Sequence, residues 1–259
     1  MITPELREYA ETPDRFVSIT PGTSVTRVDD GRICILQGAD WASVSALNVE
    51  PDELAALRDE VRASIPPGKQ YSWWIGPSAR PTDAYERLRA LGLVEPRDRV
   101  GTLHALALTD EPAPMPPGVD VHRVDTFDDF AATREVQWEA FAVPEERREA
   151  SRARMREDFE EAMRIGVPVV YLARLEGRPA ATAMAIPSER GIFLIAGSTA
   201  PWARGRGLYR ALVRARWDDA VGRGTPALIT HANPSTSYPI LKRLGFEDVC
   251  TIRRLEEPA

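Results

Sequence analysis

The densest chemical signal in the chain is the run Thr199-Ala200-Pro201-Trp202-Ala203-Arg204-Gly205-Arg206-Gly207-Leu208-Tyr209-Arg210-Ala211-Leu212. It follows an apolar segment that reads as a strand and opens a segment that reads as a helix. Glycines let a backbone approach an anion closely, and the free amides of a helix N-terminus point at it. The helix dipole favours negative charge there, and Arg204 and Arg206 add formal positive charge. This is chemistry for a pyrophosphate. The run lacks the Gly-Lys-Ser/Thr ending of a Walker loop and the Gly-x-Gly-x-x-Gly spacing of a dinucleotide fingerprint. Two readings compete with the anion site: an Arg-Gly tract for RNA, and a plain loop of solvated arginines.

The elements around this loop alternate. Val119–Asp125 reads as a strand, and Thr126 caps a helix to about Phe141. Pro144 suits the first turn of a second, highly charged helix ending near Gly166. Its run of charges, Glu145–Glu161, reads as a solvated face of i,i+4 pairs. Three strands follow, Pro168–Leu175, Ala180–Pro187 and Ile192–Thr199, joined by Gly-containing turns. After the loop comes a helix to about Gly222, a short apolar strand Ala227–His231, a helix Pro234–Leu244 and a strand Phe246–Leu255.

The N-terminal part is less regular. Val25–Val28 and Arg32–Leu36 flank Asp29-Asp30-Gly31, a hairpin signal. Val44–Val49 reads as a strand, and Glu50-Pro51-Asp52-Glu53 as a helix start with acids in its first turn. Tyr71–Ile75 is a buried strand, Pro81–Leu91 a helix and Val100–Leu108 a strand. Between the two parts, four prolines within residues 111–118 remove backbone donors and mark a linker. The expected partition is a domain over 1–110, a linker over 111–118 and a domain over 119–259.

The two parts repeat one pattern. Tyr85-Glu-Arg-Leu88-Arg-Ala-Leu91-Gly92-Leu93 matches Tyr238-Pro-Ile-Leu241-Lys-Arg-Leu244-Gly245-Phe246, and each follows an apolar strand and a Pro-Ser pair. Hairpin, strand, helix, strand, helix, Leu-Gly and strand recur in that order. A Gly past a helix end is common on its own; the ordered context is what argues for tandem lobes.

The totals exclude several classes. At 259 residues the chain is long enough for about two domains. Hydrophobic residues make up 43% and charged residues 28%, which rules out dominant disorder. No run of about 18 apolar residues predicts a membrane span, and the first residues do not read as a secretory signal. The expected location is therefore the cytoplasm. A net charge of -6 disfavours nucleic acid as a partner, because phosphates need clustered positive charge. Of 33 basic residues all but Lys69 and Lys242 are arginine, which reads as codon bias. Two cysteines and three histidines, widely spaced, predict neither a disulfide framework nor a metal site.

The loop Arg204-Gly205-Arg206-Gly207-Leu208-Tyr209 resembles the Gln/Arg-x-x-Gly-x-Gly/Ala loop of the GNAT superfamily of acetyl-CoA-dependent N-acetyltransferases. Tyr209 departs from it, standing where the family prefers a small residue. Tyr238–Phe246 resembles the family's last helix with its Leu-Gly-Phe ending. The resemblance covers about Val119 to Leu255.

It implies an α/β (α+β) fold: a mixed, mostly antiparallel sheet flanked by helices, acetyltransferase-like, in two tandem lobes. It implies acetyl-CoA as co-substrate, no metal, and direct acetyl transfer to a primary amine of a small molecule or peptide. The strands Ile192–Thr199 and Ala227–His231 would splay apart around the pantetheine. Backbone groups of Gly197, Ser198 and Thr199 would hold its amides, and the amides from Arg204 through Gly205, Arg206, Gly207 and Leu208 to Tyr209 would hold the pyrophosphate. Asn233 is a further expected contact; a turn residue before Pro234 is the competing reading.

The family's usual proton donor aligns with Leu241, so Tyr238, one helical turn earlier, is the expected substitute. Ser235, Ser237 and His231 are alternatives, and a helix-start or core aromatic is the other reading of Tyr238. Glu139 is the acid expected nearest the acceptor, against a solvated helix face. Trp138, Phe141 and Trp202 would line the acceptor site or pack. The first lobe has carboxylates where the loop would stand, so it is expected to be a degenerate lobe that binds no CoA. A non-catalytic acyl-CoA-binding regulatory module is the alternative to an enzyme, and a purely structural tandem a third reading. A second copy of the chain is admissible as a partner.

Overall fold

The structure is a computed structural model and describes residues 2–96 and 100–258. It forms two compact units, Met1–Ala107 with His231–Ala259, and Leu108–Thr230.

The first unit opens with helix α1 (Pro4–Glu11), which the sequence expectations omit. Its start signals are present: the Thr3 hydroxyl accepts from the Leu6 amide at 3.2 Å, Pro4 stands in the first turn and Glu5 follows. A hairpin of β1 (Thr26–Asp29) and β2 (Cys34–Gln37) forms at the expected place. The Asp30 carboxylate accepts from the amides of Arg32 and Ile33, and Gly31 takes a φ of +83°. Strand β3 (Trp41–Ser45), helix α2 (Leu54–Ser64), strand β4 (Gln70–Ile75), helix α3 (Ala84–Ala90) and strand β5 (Thr102–Leu108) follow. The expected strand Val44–Val49 in fact ends at Ser45, because Ala46 turns to a φ of 55°.

The second unit comprises β6 (Val119–Arg123), α4 (Phe127–Ala140), α5 (Glu145–Ile165), β7 (Val169–Leu175), β8 (Arg178–Ser188), β9 (Gly191–Thr199), α6 (Leu208–Gly222) and most of β10 (Leu228–Ala232). The caps are those the sequence signals: the Thr126 hydroxyl accepts from the Asp129 amide, and Gly166 closes α5 at a φ of +71°. The chain then returns to the first unit through α7 (Ser237–Arg243) and β11 (Glu247–Glu256). Helix α7 starts later than the expected Pro234. The Asn233 side chain accepts from the amide and hydroxyl of Ser235, and the Asn233 amide donates to the Ser237 hydroxyl.

Each unit has a mostly antiparallel sheet with one parallel pair. In the first the order is β1-β2-β3-β4-β11-β5, with β3 and β4 parallel. In the second it is β10-β9-β8-β7-β6, with β9 and β10 parallel. The first core gathers Val44, Leu54, Leu57, Trp73 and Leu88. The second gathers Phe130, Trp138, Met155, Val170 and Leu172 beneath α4 and α5.

The compact units divide differently from the expected 1–110 and 119–259. Strand β11 is the cause. It pairs with β4, Arg253 opposite Ile75, and with β5, Thr251 opposite His104, and Leu255 enters the first core. The proline-rich residues 111–118 also pack within the second unit. Arg214 of α6 pairs with Glu111 at 2.6 Å and donates to the Pro112 carbonyl, and Pro112 and Pro116 are buried.

Candidate functional site

Strand β9 is interrupted near its end. Thr182 lies opposite Ser198 and Met184 opposite Ile195, so Ala196 and Gly197 face the single residue Ala183. This is a bulge, with Ala196 at a φ of 51° and both residues exposed. On the other edge, the parallel register with β10 runs only from Ile192–Leu228 to Leu194–Thr230, where the Thr230 hydroxyl donates to the Leu194 carbonyl at 3.0 Å. The backbone of residues 195–199 therefore lies past the end of that ladder.

The loop after β9 turns through a 3-10 segment, Pro201–Ala203, and two left-handed glycines, Gly205 at +76° and Gly207 at +80°. Those angles disfavour any side chain. The first helical bond of α6 runs from the Ala211 amide to the Gly207 carbonyl, so the amides of Leu208, Tyr209 and Arg210 have no intrahelical acceptor. The amides of Gly205, Arg206 and Gly207 make no backbone hydrogen bond among the described residues. The first turn holds no acid. It holds a third arginine instead: Arg210 has a buried Nε without a partner, and its guanidinium lies 3.7 Å from the position a Cβ at Gly207 would take. A cation there opposes the helix dipole unless an anion is bound.

The arginines divide their work. The Arg204 guanidinium is turned away from the helix start: Nη2 donates to the Ala140 carbonyl at 3.2 Å and Nε to the Thr199 carbonyl at 3.4 Å. It caps the C-terminus of α4, whose last turn has no basic residue. Its amide points to the Pro201 carbonyl at 3.4 Å. Arg206 is exposed, and its nearest carboxylate, Glu176, is 3.9 Å away and exposed too. Such a pair is worth little, so Arg206 is available to an anion. Arg178 lays its guanidinium 3.9 Å from the centroid of the Trp202 ring, which is 37% exposed.

Ser198 is buried, and its hydroxyl has no partner. Buried hydroxyls are ordinarily satisfied, so this one has an unmet bond. A Cβ at Gly197 would lie 3.0 Å from the Tyr209 ring, tighter than ordinary van der Waals contact, so the glycine makes room for that ring. Burial pushes the Tyr209 phenol pKa up, partly offset by the buried Arg216 guanidinium.

The remaining expected site residues scatter. Glu139 is exposed on α4 and makes no side-chain hydrogen bond among the described residues. Trp138 is core, with the Arg152 guanidinium over its ring, whereas Phe141 is 66% exposed at the end of α4. Asn233, Ser235, Ser237, His231 and Tyr238 belong to the first unit. The Tyr238 hydroxyl donates to Asp248 at 3.3 Å, a carboxylate that Lys242 also contacts at 2.8 Å. That hydrogen bond raises the Tyr238 pKa. His231 donates from Nε2 to the Ala10 carbonyl at 2.8 Å, and burial pushes its pKa down to about 4. It is neutral at pH 7. Leu241, in the aligned donor position, is fully buried. Arg210 is absent from the expected site residues, although a basic residue in a first helical turn is a signal the sequence carries.

The first unit offers a counterpart. Past Ala46 the chain does not stay open: the Arg80 amide donates to the Leu47 carbonyl at 2.9 Å, and the Val49 amide to the Arg80 carbonyl at 3.3 Å. Before α2 stand Glu50, Asp52 and Glu53, and the Glu53 carboxylate accepts from the Glu50 amide at 2.9 Å.

No protein-family model and no curated protein matches the chain. Solved structures do match. A GCN5-related N-acetyltransferase from Kribbella flavida is 19% identical with a TM-score of 0.67, over 91% of this chain and 90% of that one. A tandem GNAT protein from the clavulanic acid biosynthesis pathway is 16% identical with a TM-score of 0.59, over 100% of this chain and 90% of that one. A GCN5-related N-acetyltransferase from Sphaerobacter thermophilus is 17% identical with a TM-score of 0.55, over 98% and 84%.

Proposed function

The chain has the fold of the GCN5-related N-acetyltransferases, and on that premise we propose that it moves an acetyl group from acetyl-CoA to a primary amine by direct attack. The carrying observation is the start of α6: free amides from Gly205 onward, no acid in the first turn, and an unpartnered Arg210 Nε. The residues present fit the nucleotide end of acetyl-CoA. Bound there, acetyl-CoA supplies the acetyl group as a thioester.

In this reading the amides of Gly205, Arg206, Gly207, Leu208 and Tyr209 bind the pyrophosphate, and Arg206 and Arg210 neutralise it. Arg204 holds the loop to α4 rather than contacting phosphate through its guanidinium. The exposed backbone at Gly197 and the groups of Ser198 and Thr199 hold the pantetheine amides. Asn233 and Tyr238 enter through the sequence resemblance, as a further CoA contact and as the proton donor. The Tyr238 hydroxyl keeps its proton at neutral pH, as a donor must. Glu139 is the proposed acid near the acceptor. The proposed acceptor is an amine of a small molecule or peptide, and the proposed location the cytoplasm; no described helix is long and apolar enough to cross a membrane. Among the described residues no group of three or more His, Cys, Asp or Glu side chains could hold a metal ion.

Buried Leu241 favours one alternative, an acyl-CoA-binding module without turnover. Thiol release from acetyl-CoA against a panel of amines decides between them. Acceptor-dependent release that falls with Tyr238→Phe supports the enzyme. Binding without release from any amine supports the module.

A further inference from the structure

Tyr209 is the one position of the loop where this sequence places a large side chain against the resemblance, and the structure shows where that side chain goes. Its ring lies on the β9 bulge. Relative to the Cβ that Gly197 lacks, the ring Cε2 stands at 3.0 Å and both Cζ and the hydroxyl at 3.7 Å. The ring thus occupies the space that glycine vacates, beside the exposed backbone of Ala196 and Gly197. Among the described residues the hydroxyl makes no hydrogen bond, and the side chain is half-buried. A phenol so placed, beside a backbone edge past its ladder, has one donor to give.

We infer that the Tyr209 hydroxyl forms part of the wall of the pantetheine channel and donates a hydrogen bond to a carbonyl of the acylated arm. This rests on the proposed acetyl-CoA reading and adds a side-chain contact to a site otherwise built from backbone. The chemical class recognised is an amide or thioester carbonyl, which can only accept. The burial that raises the phenol pKa keeps it protonated as a donor across the neutral range. Buried Arg216 shares the sheet-facing side of α6, two turns on. It donates to the carbonyls of Leu212 and Met184 and leaves one terminal nitrogen without a partner. Its charge favours an electron-rich group at the phenol.

The test uses the full chain and two probes. Adenosine 3′-phosphate 5′-diphosphate carries the nucleotide end of CoA without the arm; acetyl-CoA carries both. Dissociation constants are measured by calorimetry for the wild type, Tyr209→Phe and Tyr209→Ala. Tyr209→Phe keeps the ring on Gly197 and removes only the hydroxyl. Loss of one neutral hydrogen bond predicts about fivefold weaker acetyl-CoA binding with the nucleotide unchanged. Tyr209→Ala should weaken acetyl-CoA at least as much, and its thermal midpoint reports whether the unit still folds. Equal losses for both probes in Tyr209→Phe would overturn the inference, since the effect would then act through the loop. No loss for either would also overturn it while leaving the acetyl-CoA reading intact. A wild type that binds the nucleotide but gains nothing from the arm overturns the inference alone. A wild type that binds neither probe at millimolar concentration overturns both.

Discussion

Two strand-helix junctions in this molecule share a pattern and differ in what they leave free. In the first unit, β3 runs parallel to β4, turns at Ala46 and leads to α2. In the second, β9 runs parallel to β10, bulges at Ala196 and leads to α6. Both alanines take left-handed angles, 55° and 51°. After Ala46 the backbone is sealed by Arg80, and the helix start is supplied with its own carboxylates. After Ala196 the backbone is exposed, and the helix start carries arginines and no acid. One topology can therefore leave a helix start open or sealed by a few side chains and one backbone segment. The chemistry lives in those choices rather than in the fold.

The largest test is to give the open junction the character of the closed one. Gly207→Glu places a carboxylate where the dipole attracts an anion and forces a side chain into a φ of +80°, with Pro116 3.2 Å from the new Cβ. Acetyl-CoA binding should weaken by roughly 100-fold, read by calorimetry, with the circular dichroism of the helices retained. Retained micromolar binding would break the comparison.

The first unit's self-contained polar groups have a stability consequence. His231 is buried with a pKa near 4, below the ordinary 6.5. The unfolded chain therefore takes up the proton first as pH falls. The stability is fully present above about pH 6.5 and is lost on the way down towards 4. Between pH 7 and 5 the loss should be about 2 kcal/mol, measured by chemical denaturation. His231→Gln should flatten that limb, and an unchanged limb would assign it to other groups.

Smaller effects sharpen the picture. Arg206→Ala should raise the acetyl-CoA dissociation constant about fivefold and reduce its salt dependence, because the arginine is exposed and only weakly engaged by Glu176. In the closed junction, Glu53→Gln should cost about 0.5 kcal/mol of stability through its weakened contact with the Glu50 amide. It should create no CoA binding, since Arg80 still seals the backbone.

The alternation of elements, the Thr126 cap and the glycine-turned loop that opens α6 were all legible because each depends on residues near in sequence. The repeat was legible for the same reason, and it carried the correct tandem order. The destination of β11 was not: its pairing with β4 and β5 links residues about 180 and 150 positions apart. No local periodicity encodes such a pairing, so the C-terminal segment read as part of the second domain. The turning of Arg204 onto Ala140 was hidden likewise, because a loop arginine reads the same whether it faces an anion or a distant carbonyl. The N-terminal helix is different. Its Thr3 cap and Pro4 were readable, and α1 follows from them.

The claim that joins these observations is that the chain holds one acetyl-CoA site, built by the second unit, while the first unit's matching junction is sealed. Calorimetric titration of the full chain with acetyl-CoA measures it directly. The account predicts one molecule bound per chain, weakened about 100-fold in Gly207→Glu. Two molecules per chain, or none at millimolar ligand, would contradict it.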